Sequence, residues 1–311
     1  MGKNELVVGV DVGGTNTDFG ILDKDGNYFT KGRIKTKEFP TFELFVKVLI
    51  EKINASTKKI NNETQIKGIG IGAPNGNYYT GIIDFAPNLP WKGKLSFADE
   101  IHKHWNKPII LTNDANAAAI GEMIYGGAKK MKDFIVITLG TGLGSGIVVN
   151  GNLVYGHDGF AGEIGHTTIF PDGRQCGCGR RGCLETYCSA TGLQKTYIEL
   201  SKIQTPTSSI DAKYIYDKAM GGDQAALASF KKTGEILGFA LANSVVYTSP
   251  EAIFLYGGLV NAGDLIFKPT IESFEKSLLN IYKGKIKILP SLLKESDAAV
   301  LGAASLIWNE L

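Results

Sequence analysis

The spacing of hydrophobic and polar positions changes period several times along the chain, and each change predicts an element. From Glu5 to Thr36, apolar β-branched runs alternate with Gly-rich and Asp-Gly turns in "ELVVGVDVGGTNTDFGILDKDGNYFTKGRIKT". That pattern predicts three antiparallel strands. Apolar residues then recur at helical spacing, at Phe42, Phe45, Val46, Leu49, Ile50 and Ile53. They form the buried stripe of an amphipathic helix, with Thr41 as its N-cap. "IKGIGIGAP" and "PIILTND" read as buried strands, and "ANAAAIGEMIYGGA" as a helix that begins where the second of them ends. Residues 97–105 have helical character, and "NGNYYTGIIDFAPNLPWKG" reads as loop and short strand.

The opening pattern then returns. "DFIVITLGTGLGSGIVVNGNLVYG" again runs strand, small-residue turn, strand, turn, strand. The repeat is too long, and occurs too few times, for a solenoid. It predicts two duplicated α/β halves with a cleft between them. The boundary falls near residue 115, giving a small N-terminal domain, 1–115, and a larger domain, 116–296. Within the second, residues 192–245 are mostly helical. "SPEAIFLYGGLVNAG" is strand, turn and helix, "GKIKILPSLL" a last strand and "ESDAAVLGAASLIWNEL" a terminal helix.

Composition narrows the function. The 311 residues suffice for one large or two medium domains. The 33 basic and 31 acidic residues leave a net charge of +2 with no basic block, so there is no electrostatic footprint for nucleic acid. No apolar run reaches transmembrane length, and the start lacks the pattern of a signal peptide. Leu6 stands where a myristoylation signal needs Ser or Thr. A cytoplasmic protein is expected, and its clustered cysteines argue against a disulfide framework.

Those cysteines carry the first candidate chemistry. His166, Cys176, Cys178 and Cys183 form the pattern H-x9-C-x-C-x4-C. One imidazole and three thiolates make a closed tetrahedral zinc site, structural because no ligand position stays open. Arg174, Arg180 and Arg181 lie nearby and favour thiolate over thiol. Two alternatives stand beside this: Cys188 replacing His166, or a cluster of buried or redox-active cysteines. Glu163 and Glu185 flank the pattern, where a metal knot would fix them for a hydroxyl-rich ligand.

"DVGGTNTDFG" (Asp11 to Gly20) and "LGTGLGSG" (Leu139 to Gly146) are glycine-rich hairpins leaving strands. Their backbone N–H groups can surround phosphate oxygens, and Thr15, Asn16, Thr141 and Ser145 add donors. Asp11 is suited to Mg²⁺, directly or through water. Neither hairpin is a Walker A loop. One alone is usually only a turn; a pair at equivalent places can grip one polyphosphate. "LTNDANAAA" sets Asn113 and Asp114 at a strand end and a helix start. Asp114 is there either an N-cap or a general base.

Together, "DVGGTNTDFG", "LTNDANAAA", "LGTGLGSG", "GEIGH" and "CGCGRRGCLE" resemble the ROK family of sugar kinases and repressors, in the actin/hexokinase-like ATPase superfamily. The resemblance spans essentially the whole chain. It implies two duplicated actin-like (RNase H-like) α/β domains around a cleft, with helix 297–311 returning to pack on the first. It implies that Asp114 is the catalytic base, and that Asn88, Asn113, Glu163, His166 and Glu185 contact the sugar, His166 also binding zinc. Asp11, Gly13, Gly14 and Thr15 match the first phosphate loop, Thr141 and Gly142 the second, and Gly257 and Gly258 the nucleotide-side glycines. The activity implied is ATP-dependent phosphorylation of a hexose at its primary hydroxyl, with glucose the expected substrate, Mg²⁺ accompanying ATP and Zn²⁺ structural. Fructose, mannose, allose and N-acetylated amino sugars are the alternative substrates, and polyphosphate an alternative donor. Relatives of this kind are commonly homodimers or homotetramers. Family repressors carry an N-terminal helix-turn-helix, for which the early phosphate loop leaves no room; a non-catalytic sensor would have lost the base or the loops. In one place the chain departs from the pattern: Asn75 stands between Pro74 and Gly76 where the family often has Pro-Gly. The departure either alters substrate preference or is a local insertion.

Overall fold

The computed structural model describes residues 5–60, 65–86, 88–202, 210–293 and 295–311. β1 (Glu5–Val12), β2 (Thr17–Leu22) and β3 (Tyr28–Ile34) form an antiparallel meander in which Asp11 faces Asp18. α1 (Phe42–Thr57) follows, capped by the Thr41 side chain, which accepts from the Leu44 N–H; its buried stripe is the one its periodicity predicts. β4 (Gln65–Gly72) lies parallel to β1. A small hairpin of β5 (Ile82–Asp84) and β6 (Lys94–Ser96) leads into α2 (Phe97–His102). That helix stops three residues short of the predicted 105 and closes in a tighter turn, the His104 N–H donating to the Ile101 carbonyl at 2.9 Å. β7 (Ile109–Thr112) completes a sheet of order β3-β2-β1-β4-β7, and α3 (Asp114–Ile124) leaves its end.

The second sheet repeats the first. β8 (Phe134–Leu139), β9 (Leu143–Val149) and β10 (Asn152–Leu153) form its meander. Then come α4 (Glu185–Cys188), α5 (Ala190–Ser201), α6 (Ala212–Met220) and α7 (Gln224–Thr248). The predicted helical region 192–245 thus holds three helices, with residues 203–209 outside those described. β11 (Ala252–Tyr256) joins β8 in parallel, α8 (Asp264–Ser277) crosses over, and β12 (Lys287–Pro290) joins β11 in parallel. The order β10-β9-β8-β11-β12 is the order of the first sheet, strand for strand. α9 (Glu295–Glu310) ends the chain.

Two compact units result: residues 1–130, 153–161 and 292–311 in one, and residues 131–152 and 162–291 in the other. The first packs Phe42, Phe45, Trp91 and Phe97 into an aromatic cluster, with Phe45 and Trp91 ring centroids 4.7 Å apart. α9 lies across its sheet over Gly9 and Gly70. A Cβ on either would collide with the helix backbone at Val300 or Ala303, which is why glycine interrupts both strands. The second unit has its own core, around Leu193, Phe230, Leu237, Leu241 and Phe274. Among the described residues no helix is long and apolar enough to cross a membrane.

Candidate functional site

In the first unit the candidate residues gather at strand ends. Asp11 closes β1, and the turn after it is fastened by the Gly13 N–H donating to the Asn16 carbonyl, 3.0 Å. Gly14 must be glycine, since a Cβ there would strike the Asn88 carbonyl; this sets the predicted sugar contact against the predicted phosphate loop. Thr15 is exposed at the tip. Asn113 is the N-cap of α3, its side chain accepting from the Asn116 N–H at 2.6 Å. Asp114 is therefore not the cap. It is the first helical residue, its Oδ1 accepting from the Ala115 N–H at 2.8 Å.

The electrostatics of this unit are set by crowded carboxylates. Burial, then the charges of Asp114 and Asp18, push Asp11 up to about 7. Asp18 is itself held by Arg33, Nε to Oδ1 2.5 Å and Nη2 to Oδ2 2.9 Å. Asp114 keeps solvent access at its surface, yet enough protein surrounds it that desolvation raises its carboxyl above the usual range, against the pull of the backbone N–H groups of Ala115 and Asp114. A carboxylate of raised proton affinity is suited to accepting a proton. Asp11 is an ionisable oxygen donor whose charge is disfavoured by like-charged neighbours, so a divalent cation there would relieve the repulsion.

The departure at Asn75 has a local explanation. The Gly76 N–H donates to the Ala73 carbonyl at 3.0 Å, closing a turn with Pro74 and Asn75 at its centre. Asn75 has φ of 54°, the left-handed conformation that such turns fill with Gly or Asn. Its side-chain amide donates to the Asp84 carbonyl at 3.0 Å. Asparagine thus occupies a glycine-type turn position and adds a tie to the loop after it.

In the second unit, short bridges gather the histidine and cysteines. Thr168 pairs with Cys183, and Gln175 with Arg181. The Cys176 N–H donates to the Arg180 carbonyl at 2.9 Å, and the Gly179 N–H to the Cys176 carbonyl at 3.1 Å. The ligand atoms of His166, Cys176, Cys178 and Cys183 all lie within 4.8 Å of one another. His166 Nδ1 is 3.6 Å from Cys176 Sγ, and Cys178 Sγ is 3.6 Å from Cys183 Sγ. Ligands at zinc bond lengths in a tetrahedron sit about 3.7 Å apart, so this donor set fits zinc. Burial pushes the Cys176 and Cys183 thiols up. At Cys178 it acts the same way, but hydrogen bonds from Arg180 outweigh it and bring that thiol below its usual range. Three adjacent thiols cannot all ionise without a cation, which is a second mark of a metal site. His166 Nε2, on the far side of the ring, is 3.9 Å from Glu163 Oε2. A carboxylate on that side orients a metal-binding imidazole.

Two readings from sequence are corrected by the geometry. Cys188 takes no part in the cluster: it is buried, with its thiol on the Thr233 carbonyl at 3.5 Å. Arg174 does not serve the thiolates. It donates to the carbonyls of Thr186 and Gly192, to Thr196 Oγ1 and to Glu199, and lies over the Tyr187 ring. It pins the cysteine loop to α4 and α5, a role that no local pattern announces. Arg180 is the arginine that reaches the knot, donating to the His166 carbonyl.

The second hairpin, Gly140 to Gly142, is held from outside. The Leu143 N–H donates to Glu185 Oε2 at 3.1 Å, the Ala190 N–H to the Gly140 carbonyl at 2.9 Å, and Thr191 Oγ1 to the Thr141 carbonyl at 2.9 Å. The Ser145 hydroxyl donates to the Gly162 carbonyl and accepts from the Ile164 N–H, joining this hairpin to the Glu163–His166 turn. Gly257 has φ of 106° and lies on the Leu139 carbonyl, so both its conformation and its surroundings require glycine. Gly258 follows it, exposed.

The similarities of the chain agree with these features. It is 32% identical to a glucokinase of Thermotoga maritima over 98% of both chains. It is 35% identical to a glucokinase of Halalkalibacterium halodurans, over 97% of this chain and 95% of that one. Its fold matches the crystal structure of a ROK family glucokinase from Streptomyces griseus in complex with glucose and AMPPNP, with TM-score 0.80, 31% identity and coverage of 97% and 98%. The paired five-stranded sheets are those of the actin-like ATPase fold. A model described as the ROK family matches residues 7–310, a span that takes in every motif above, and the chain belongs to that family.

Proposed function

We propose that the protein is a hexose kinase that transfers the γ-phosphoryl group of ATP to the primary hydroxyl of glucose. The observation that carries the reading is Asp114, a solvent-accessible carboxylate at the start of α3 whose proton affinity is raised by the protein around it. As the sugar oxygen attacks, Asp114 accepts its proton. Asn88, Asn113, Glu163, His166 and Glu185 bind sugar hydroxyls. Backbone N–H groups of the two hairpins bind the phosphates and stabilise the charge that develops on the transferring group. Asp11 takes the Mg²⁺ of Mg-ATP, which neutralises phosphate charge when bound. Zinc on His166, Cys176, Cys178 and Cys183 has a structural role: it fixes the turn that carries Glu163. Gly257 and Gly258 let the nucleotide approach the backbone.

ADP release with Mg-ATP over glucose, mannose, fructose, allose, N-acetylglucosamine and N-acetylmannosamine tests this. Turnover on glucose, abolished by Asp114→Asn, is the expected result. Preference for another sugar reassigns the pocket and keeps the mechanism. Absence of turnover on every sugar, with sugar binding intact, overturns the kinase reading.

A further inference from the structure

We infer that Asn77, Tyr78 and Tyr79 are positioning residues for the sugar: they clasp the segment 153–161, from which the chain runs directly into the turn of Glu163 and His166. This rests on the kinase reading and deepens its sugar side. The segment belongs to the first unit, although β9 before it and Gly162 after it belong to the second. Three successive residues hold it, each by a different means. Asn77 Nδ2 donates to the Asp158 carbonyl at 2.6 Å. The Tyr78 ring stacks on that of Tyr155, with centroids 4.0 Å apart and planes at 13°. The Tyr79 hydroxyl donates to the Gly156 carbonyl at 3.0 Å. Gly159 lies so close to the Asn77 amide that a Cβ there would have no room.

The clasp has a footing of its own. Asn77 is buried, and both polar atoms of its side chain are used, since Oδ1 accepts from the N–H groups of Tyr79 at 3.0 Å and Thr80 at 3.1 Å. Its backbone N–H donates to the Ile82 carbonyl at 2.9 Å, and its carbonyl accepts from the Gly81 N–H at 3.0 Å. The turn before it rests on β7: the Ala73 N–H donates to the Thr112 carbonyl at 3.0 Å, and Gly76 lies against the same carbonyl. Asn113 and Asp114 come next in the chain, so the clasp stands on the strand end that presents them. Tyr78 is tied in turn to α9, its hydroxyl donating to Glu310 Oε1 at 2.9 Å. On the other side, the Ala161 N–H donates to the Tyr155 carbonyl at 3.0 Å and closes the held segment into a loop, two residues before Glu163. The turn that carries Glu163 is therefore entered from a fixed loop and left through His166 into the metal knot. Fixing its approach beforehand lowers the ordering cost of binding sugar.

Binding is measured by calorimetry with two probes separately, glucose and Mg-AMPPNP, on the metal-loaded wild type, Asn77→Asp, Tyr155→Ala and Tyr79→Phe. Hydrogen exchange is followed on the same proteins without ligand. Asn77→Asp keeps the acceptor for Tyr79 and Thr80 and loses the donor to Asp158. It is expected to weaken glucose about ten-fold, the scale of one buried carbonyl left unpaired. Tyr155→Ala removes the stack and is expected to weaken glucose about five-fold. Tyr79→Phe keeps the ring and loses one bond, for about three-fold. AMPPNP affinity is expected to stay within about two-fold throughout. Exchange should quicken over residues 155–163 and not over 174–183, which a general loosening would quicken as well. Should Asn77→Asp fail to fold, the two tyrosine variants carry the test. Nucleotide affinity falling as far as glucose affinity, or exchange quickening equally over 174–183, overturns the inference. Wild type that binds glucose while the variants bind it equally well overturns this inference alone. Wild type that binds neither glucose nor any other sugar of the panel overturns the kinase reading as well.

Discussion

The two glycine-rich hairpins occupy the same place in two sheets of identical strand order, yet they are built differently. The first closes largely on itself, through Gly13 and Asn16, and carries a half-buried carboxylate at its root. The second carries no carboxylate and is held by bonds from Glu185, Ala190 and Thr191, beyond a cysteine knot. Duplication therefore preserved the backbone and divided the work. One half concentrates titratable groups; the other concentrates fixation.

If that division holds, substitutions in the two halves should differ in kind. Asp114→Asn should give the largest effect, a loss of roughly a thousand-fold in kcat, as expected when a general base is removed, with glucose affinity nearly unchanged. Near-normal turnover would take Asp114 out of the mechanism. Asp11→Asn should cut Mg-ATP turnover about a hundred-fold, as loss of an electrostatic contact to the transferring group does. It should also stabilise the ligand-free fold. The pKa of Asp11 is raised from 3.8 to about 7 on folding, so its contribution to stability is full below 3.8 and lost as pH rises through about 7. At pH 8 the ionised carboxylate opposes folding by on the order of 4 kcal/mol, and melting curves of the variant at about pH 3, pH 5 and pH 8 should show a gain that is absent at the lowest pH, partial at pH 5 and largest at pH 8. By the same sign, kcat/KM of the wild type should fall as pH drops below about 7. In the other half, Cys183→Ser or exhaustive chelation should weaken glucose binding about ten-fold, the size seen when a site's supporting shell is lost. Protein shown by elemental analysis to be metal-free, with its glucose affinity intact, would end the structural role of zinc. The smallest effect belongs to the turn of the first unit. Asn75→Ala should cost about 1 kcal/mol, because alanine loses the side-chain bond to the Asp84 carbonyl and tolerates the left-handed region less well than asparagine, and Asn75→Gly less, both read from denaturant midpoints.

Much of this was legible because it is local. The stripe from Phe42 to Ile53 buries as its spacing requires, and H-x9-C-x-C-x4-C brings four ligand atoms together because two short bridges fold the loop between them. What was not legible depends on residues far apart in the chain. Arg174 reads as one more cation beside thiols, and only the folded chain turns it toward Gly192 and Glu199. Glu185 reads from sequence as a sugar contact beside the knot, and only the packing of α4 against the hairpin shows its further bond to Leu143. Tyr155 lies in the returning segment 153–161 and stacks on Tyr78 with ring centroids 4.0 Å apart, although the two are 77 positions apart in the chain, a distance that no periodicity spans. A composition rich in glycine likewise does not say which glycines are turns and which, like Gly9 and Gly70, form the floor for a helix.

That floor has a consequence for how the chain is made. α9 is synthesised after every residue of the second unit, yet it covers a sheet whose strands all precede that unit. On the ribosome the opening sheet must therefore wait, one face bare, while the whole of the second unit emerges and folds. A chain that stops at Ser291, short of α9, would keep a finished second half and an exposed glycine-floored face on the first, the kind of surface that chaperones capture and neighbouring chains join.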